Sequence, residues 1–481
     1  MSEASPLSLG DERLPALELA FGMLREAWQG FDRARPGQPP PSDQTLSLLS
    51  EPLPQTGVGA LRALKEAERL LDESLAQSRP RFFGYVGSSG LEVGVLAEAL
   101  SASHDVNLAS LAAAATMVEQ QTIGWVGEFV GFGRVGGVVT SGGMISNLTA
   151  LAVARERALP GSRRQGLDGR GTLYVSVEAH SSIDRSAELL GIGSASVRGI
   201  PIDADRRMDV DALRDQLGLD LAQGRVPIAV VATAGTTLTG AVDPLAEIAA
   251  VCREHDLWFH VDGAYGLPAA ATPRASHLFA GIEHADSATI DAHKWLYVPK
   301  ACGILLVRDP QALRRTFAHD ASYMVDADEN PVDRTLEYSR PFRALKLWAA
   351  LRAHGAQGFR RALESNLEVA AGLAERIRAH PQLQLVVEPQ LSIVPFRHLP
   401  AKVAIDGLHD DGLDEDASEI DAHNAELARR MQDEGDVYVT SSVVDGRTLL
   451  RPCITNFRTT GADIDALIET VLRTGHALEH Q

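Results

Sequence analysis

The chain has 481 residues, 45 Lys and Arg against 64 Asp and Glu, a net charge of −19 and three cysteines. That is too long for one ordinary domain, and acidity without a Lys/Arg cluster in any lobe excludes nucleic acid, an anionic membrane or another polyanion as main partner. Cys252, Cys302 and Cys453 lie far apart in no CxxC spacing, which excludes a disulfide framework or zinc site; no metal is expected, and a reducing, cytoplasmic setting fits best.

The start, Met1–Gly10, lacks the basic region of a secretory signal, and the apolar runs near Leu108–Val118 and Val226–Thr233 fall short of the ~20 residues a bilayer demands. Residues 1–105 read as a helical arm. Leu17, Phe21, Leu24 and Trp28 recur at helical spacing, and after the link Pro36–Pro41 a second stripe runs through Leu61, Leu64, Leu71 and Leu75. Such stripes need an apolar partner, on the same chain or on another subunit.

Residues 106–345 read as a large α/β domain. Leu108, Leu111, Ala112, Ala115 and Val118 predict a helix. Gly137–Val139, Thr172–Val177, Ile228–Thr233, Leu257–Val261 and Gly303–Val307 predict buried strands with helices between most of them. That alternation makes a mostly parallel central sheet whose site lies beyond the carboxyl ends of the strands. Residues 346–481 read as a small C-terminal α+β domain. Helices are expected over Ala344–Ala353 and Phe359–His380, strands near Leu383–Val387 and over Val437–Ser441 and Thr448–Thr455, and a last helix over Ile464–Arg473. The acidic stretch Asp406–Asp421 reads as a solvated loop leading into a helix.

The strand ends carry the chemistry. Thr140-Ser141-Gly142-Gly143-Met144 joins a strand to a helix; glycines there let a ligand approach, and the free N–H groups of the first helical turn form an anion site. By itself this is more simply an ordinary strand-to-helix turn. His180 follows the second strand, where a histidine is most often a turn residue. Asp262 closes an apolar run, so it needs a cation or several donors. Lys294, in Asp291-Ala292-His293-Lys294-Trp295-Leu296, sits in largely apolar sequence suited to a Schiff base. A phosphate turn, a buried carboxylate and a buried lysine on one sheet are the three contacts that pyridoxal 5′-phosphate requires.

At these residues the sequence resembles the pyridoxal-phosphate-dependent decarboxylases of the aromatic amino-acid, glutamate and diaminobutyrate type. The likeness runs from Pro80-Arg81-Phe82-Phe83-Gly84-Tyr85 to Arg451-Pro452-Cys453-Ile454-Thr455-Asn456. It is densest in Ser141-Gly142-Gly143-Met144-Ile145-Ser146-Asn147, His180-Ser181-Ser182, Ala234-Gly235-Thr236-Thr237, His260-Val261-Asp262-Gly263-Ala264-Tyr265 and the lysine motif. The resemblance implies the aspartate aminotransferase-like fold, fold type I, and a homodimer with the N-terminal arm wrapped over its neighbour. It implies decarboxylation of an L-amino acid to the amine and CO2 through a Schiff base on Lys294. Asp262 would keep the ring nitrogen protonated, His180 would stack on one ring face and Ala264 pack the other. Gly143 and Met144 would bind the phosphate, with Asn147, Thr237 and Asp291 around the cofactor and His293 beside the reacting carbon. Tyr85, with Phe83, would line the substrate pocket.

Two departures bear on the reaction. The stretch Tyr323–Arg334, where relatives carry a tyrosine that protonates the substrate carbon, has tyrosine only at its start, leaving Tyr323, Tyr338, His293 or water as donors. Lys300 stands where the family commonly has an uncharged residue, and would reach a phosphate or an acidic substrate group. The alternatives are oxidative deamination to an aldehyde, aldol-type cleavage, transamination, or a non-catalytic cofactor-binding regulator.

Overall fold

Seven strands span Gly136 to Val307: β1 (Gly136–Thr140), β2 (Gly171–Ser176), β3 (Val197–Ile200), β4 (Val226–Thr233), β5 (Trp258–Asp262), β6 (Ser287–Asp291) and β7 (Gly303–Val307). They form one sheet in the order β1-β7-β6-β5-β4-β2-β3. β7 runs antiparallel to both its neighbours, and the remaining pairings are parallel. The sheet is therefore mixed but mostly parallel. It is covered on both faces, so β2, β5, β6 and β7 are buried along their whole length. The carboxyl ends of β1, β4, β5 and β6 share one edge with the start of β7.

These coordinates come from a computed structural model that describes residues 7–31, 40–319, 330–402 and 413–480. The C-terminal part holds an antiparallel sheet of β8 (Leu383–Leu385), β9 (Phe396–His398), β10 (Ser441–Val444) and β11 (Arg447–Leu450), in the order β10-β11-β9-β8. Its core is a separate apolar cluster that includes Leu373, Phe396, Leu427, Ile464 and Phe83.

Several expectations change. Leu108–Ala113 is not helical: Leu108 donates its N–H to the Arg340 carbonyl and is wholly buried, and the helix begins at Ala114 and runs to Phe129. Tertiary burial, not helical spacing, explains that leucine. Val437–Thr440 makes only a bridge, through Tyr438 to Phe82, and regular pairing starts at Ser441. β3 and β9 were not expected; they have four and three residues, too few for a strand pattern to show. The acidic stretch is helical from Leu413, in a helix that continues to Glu434, while 403–412 lie outside the described residues. The helix Ala344–Ala379 is interrupted at Gly355, whose φ of 64° breaks the helical path.

One buried ion pair braces the site edge. Arg340 makes bonds of 2.6 and 2.7 Å to the carboxylate of Glu119, on the helix Ala114–Phe129, and also donates to the Val139 carbonyl of β1. Among the described residues no helix is long and apolar enough to cross a membrane, and no group of three or more His, Cys, Asp or Glu side chains is placed to hold a metal.

Candidate active site

The turn after β1 is positioned by missing atoms. Gly303 opens β7 and pairs with Thr140 on one side and Asp291 on the other. A Cβ on Gly303 would lie 2.6 Å from both Gly142 Cα and Thr140 Oγ1, so only glycine lets the turn fold across the mouth of β7. Thr140 Oγ1 then accepts from the Gly142 N–H and meets Ser146 Oγ at 2.8 Å. The helix Gly143–Ala158 starts here. The N–H groups of Ile145 and Ser146 turn back to the Gly142 carbonyl, while those of Gly143 and Met144 have no acceptor among the described residues. Donors of this kind at a helix start hold an anion.

The same turn touches the lysine segment. A Cβ on Gly143 would stand 2.8 Å from Asp291 Oδ2 and 3.2 Å from Ala264 Cβ. Lys294 Nζ lies 3.0 Å from Asp291 Oδ2, and Asp291 Oδ1 is buried without a hydrogen-bond partner. His293 Nδ1 is 3.8 Å from Asp291 Oδ1 and 3.2 Å from the Cys302 N–H. Burial holds its pKa below the ordinary histidine range despite the charge of Asp291, so the ring is neutral at pH 7. Lys300, at the exposed rim, donates to Gln77 Oε1 at 2.8 Å, and its pKa is lowered by burial and then by the charge of Lys294.

Asp262 ends β5 beneath this cluster. Its Oδ2 accepts from Asn147 Nδ2 at 2.8 Å and its Oδ1 from the Ala264 N–H at 3.1 Å. Asn147 Nδ2 also donates to Ser182 Oγ at 3.0 Å, and its Oδ1 meets His260 Nε2 at 3.0 Å. His260 Nδ1 meets Ser287 Oγ at 2.8 Å, and Ser287 accepts from Trp258 Nε1 at 2.8 Å. The sequence reading missed His260, Ser287 and Trp258 as parts of the site. The available signal was period two: Trp258, His260 and Asp262 share one face of β5, and Ser287, Thr289 and Asp291 share one face of β6. Two facing polar stripes in buried strands mark a network, because each member needs a partner.

Of the expected residues, Gly143, Met144, Asn147, Asp262, Ala264, Asp291, His293 and Lys294 converge on this edge. His180 is joined to it at one remove: its ring Nδ1 accepts from the Ser182 N–H at 3.2 Å, and Ser182 is the residue that Asn147 holds. Thr237 is exposed after β4, where its carbonyl accepts from Arg451 of the C-terminal part. Tyr85 is half exposed and its hydroxyl faces that of Tyr438 at 3.5 Å. The Tyr438 phenol is pushed up to about 12, by burial and then by Tyr85, and stays protonated. Phe83 needs correction as a substrate residue: it is wholly buried in the C-terminal apolar cluster and has no surface to offer. Tyr323 lies outside the described residues.

These residues fit pyridoxal 5′-phosphate. Two free N–H donors suit its phosphate, the space that a Cβ on Gly143 would fill leaves a cradle beside Asp291, and Asp262 is a buried acceptor suited to a protonated ring nitrogen. Residues 42–399 match the family described as the pyridoxal-dependent decarboxylase conserved domain. The chain is similar to an aromatic-L-amino-acid decarboxylase of Bacillus atrophaeus, 32% identical over 87% of this chain and 86% of that one. It is also similar to the human cysteine sulfinic acid decarboxylase, 31% identical over 91% and 90%. In structure it resembles Oryza sativa TDC with PLP and tryptamine, with a TM-score of 0.90, 25% identity and coverage of 99% and 100%. The chain belongs to the family of pyridoxal-phosphate-dependent amino-acid decarboxylases.

Proposed function

We propose that this family member removes CO2 from an L-amino acid to give the amine, with Lys294 as the amine that holds the cofactor aldehyde. The observation that carries the reading is convergence: the Lys294 amine, the free N–H groups of Gly143 and Met144, and the Asp262 carboxylate stand at the ends of β6, β1 and β5 on one sheet edge. When bound, the cofactor supplies an electron sink for the pair left behind as CO2 departs.

The residues divide that work. Gly143 and Met144 would hold the phosphate, and Asp262, itself held by Asn147 and the Ala264 N–H, would pair with the ring nitrogen. His180 and Ala264 would pack against the cofactor ring, with Thr237 near it. Asp291 holds the Lys294 amine by ion pairing. His293, which follows Asp291 beside Lys294, would be one candidate, with Tyr338 or water, to deliver the proton that the reacting carbon takes up once CO2 has left. Tyr85 lines the substrate pocket, and Lys300 meets an acidic group of the substrate or of the cofactor. The relatives named for aromatic amino acids and for cysteine sulfinic acid are similar to this chain at 32% and 31% identity, so similarity does not choose between aromatic and acidic substrates.

The same reading makes the enzyme a homodimer built from an arm (1–105), a large domain (106–345) and a small one (346–481). In support, Leu14, Leu17 and Phe21 stand exposed on the first long helix, an apolar face that a second subunit would cover. The three cysteines are free and buried, and burial raises the pKa of each thiol. This suits a reducing, cytoplasmic setting.

The test is product analysis with a panel of amino acids, joined to borohydride reduction and peptide mapping. Equimolar amine and CO2, with the pyridoxyl group mapped to Lys294 and both lost in Lys294→Ala, is the expected result. Aldehyde with peroxide, a keto acid, or a group mapped to another lysine would overturn it.

A further inference from the structure

The buried hydrogen bonds beneath Asp262 have directions that follow one from another. Trp258 Nε1 can only donate, so Ser287 Oγ accepts it. At the other end both Asp262 oxygens accept, one from the Ala264 N–H and one from Asn147. Reversing the Asn147 amide would set two acceptor oxygens 2.8 Å apart, so its NH2 faces Asp262 and Ser182. Asn147 Oδ1 must then accept, and the atom facing it at 3.0 Å is His260 Nε2, which carries the hydrogen. Thr289 Oγ1 lies 3.4 Å from the same nitrogen as a longer second neighbour.

His260 is wholly buried, and burial lowers its pKa to about 4 against the opposing charge of Asp262. A neutral ring with hydrogen on Nε2 has a bare Nδ1, and Ser287 Oγ donates to it at 2.8 Å. Every hydrogen in the series points toward Asp262.

We propose that Trp258, Ser287, His260 and Asn147 form a one-way relay in which the tautomer of His260 fixes the Asn147 amide and so presents a donor to Asp262. His260 is thus a positioning residue: it touches no reacting group and acts through Asn147. With hydrogen on Nδ1 instead, the bare Nε2 would face Asn147 Oδ1, the amide would turn, and its oxygen would confront the carboxylate. The distant Trp258 indole biases against that state: it takes one lone pair of Ser287 Oγ, and an Nδ1–H would take the other and leave the Ser287 hydrogen with no acceptor in the series, whereas a bare Nδ1 receives it. This inference rests on the reading of Asp262 as the partner of the cofactor ring nitrogen.

The first test needs no cofactor. In apoenzyme labelled with 15N-histidine, with the His260 signals assigned by their loss in His260→Gln, the ring should show hydrogen on Nε2 and a bare Nδ1, unchanged from pH 8 to 5.5. Hydrogen on Nδ1, or titration near the ordinary histidine value, overturns the relay. The second test is pyridoxal phosphate affinity by fluorescence titration. His260→Leu removes the donor and should weaken binding about tenfold, the size of one lost hydrogen bond, whereas His260→Gln keeps an N–H at similar reach and should stay within about threefold. Equal affinities of the two variants overturn the proposal. Asp262→Asn separates the two levels. Unchanged cofactor affinity in that variant sinks the reading of Asp262, and the relay's purpose with it; affinity lost in Asp262→Asn but retained in His260→Leu sinks the relay alone. If His260→Leu fails to fold, the tautomer measurement decides.

Discussion

On the floor of the site Asp262, Asn147, His260, Ser287 and Trp258 are buried and hydrogen-bonded from strand to strand, whereas at the rim Tyr85 and Lys300 are exposed and lean on Tyr438 and Gln77. The floor belongs to β5, β6 and one helix, whose backbones are set by the sheet. The rim comes from loops and from the junction with the C-terminal part. A change on the floor leaves a buried polar group without its partner; a change at the rim exchanges one solvated contact for another. The contrast predicts where the molecule is intolerant and where its selectivity can drift.

The largest effect is expected where the buried edge of the site is braced at β1. Glu119→Ala strands Arg340 in the interior beside β1 and should lower the unfolding free energy by about 3–5 kcal/mol in urea titrations; a loss under about 1 kcal/mol would show that the pair relaxes into solvent. Next comes pH. His260 has a folded pKa of about 4 against an ordinary 6.5, so the unfolded chain takes up the proton first as the solution is acidified. Its contribution to stability is complete above pH 6.5 and falls toward pH 4, at most about 1.4 kcal/mol per pH unit. The advantage of the native chain over His260→Gln should shrink along that slope. His398 of β9 is also lowered to about 4 by burial and then by His423, but it is common to both proteins and cancels. A parallel pair of stability curves would contradict a buried neutral His260.

Smaller again is Gly143→Ala, whose new methyl meets Asp291 Oδ2 at 2.8 Å. Overpacking of this kind should weaken pyridoxal phosphate binding by about 10–100-fold, measured by equilibrium titration; unchanged affinity would remove the turn from the phosphate site. The smallest effect belongs to the rim. Lys300→Ala should leave cofactor affinity intact and lower kcat/KM for acidic relative to neutral amino acids by about three- to tenfold, the range of a partly solvated charge contact. No change in either quantity would make Lys300 a solvent-facing lysine, and a loss of cofactor affinity would move it from substrate to phosphate.

The same division explains what could be read from the sequence. The glycine turn, Asp262 and Lys294 stood out because each follows an apolar run at a strand end, where position alone gives a residue its meaning. His260 and Ser287 belong to strands, where period two marks a polar stripe on each but not that the stripes are neighbours; their pairing across β5 and β6 is a relation between distant segments. Leu108 misled for the opposite reason: its apolar character answers to the core and not to the periodicity of its own segment. Phe83 has the aromatic character of a pocket residue, but the pairing of its N–H with the Tyr438 carbonyl fixes it among the C-terminal apolar side chains. Pocket and core residues are alike in type and differ only in what covers them.

The absent side chain of Gly303 has a practical meaning for anyone who would transplant this site. Because Gly303 lies between Thr140 and Asp291 in the register and presses against the backbone of Gly142, the antiparallel β7 is a spacer that sets the gap between the Gly142–Gly143 turn and the Lys294 segment. A graft that copied only the parallel strands, with their acids and bases intact, would bring the right groups to the wrong separation.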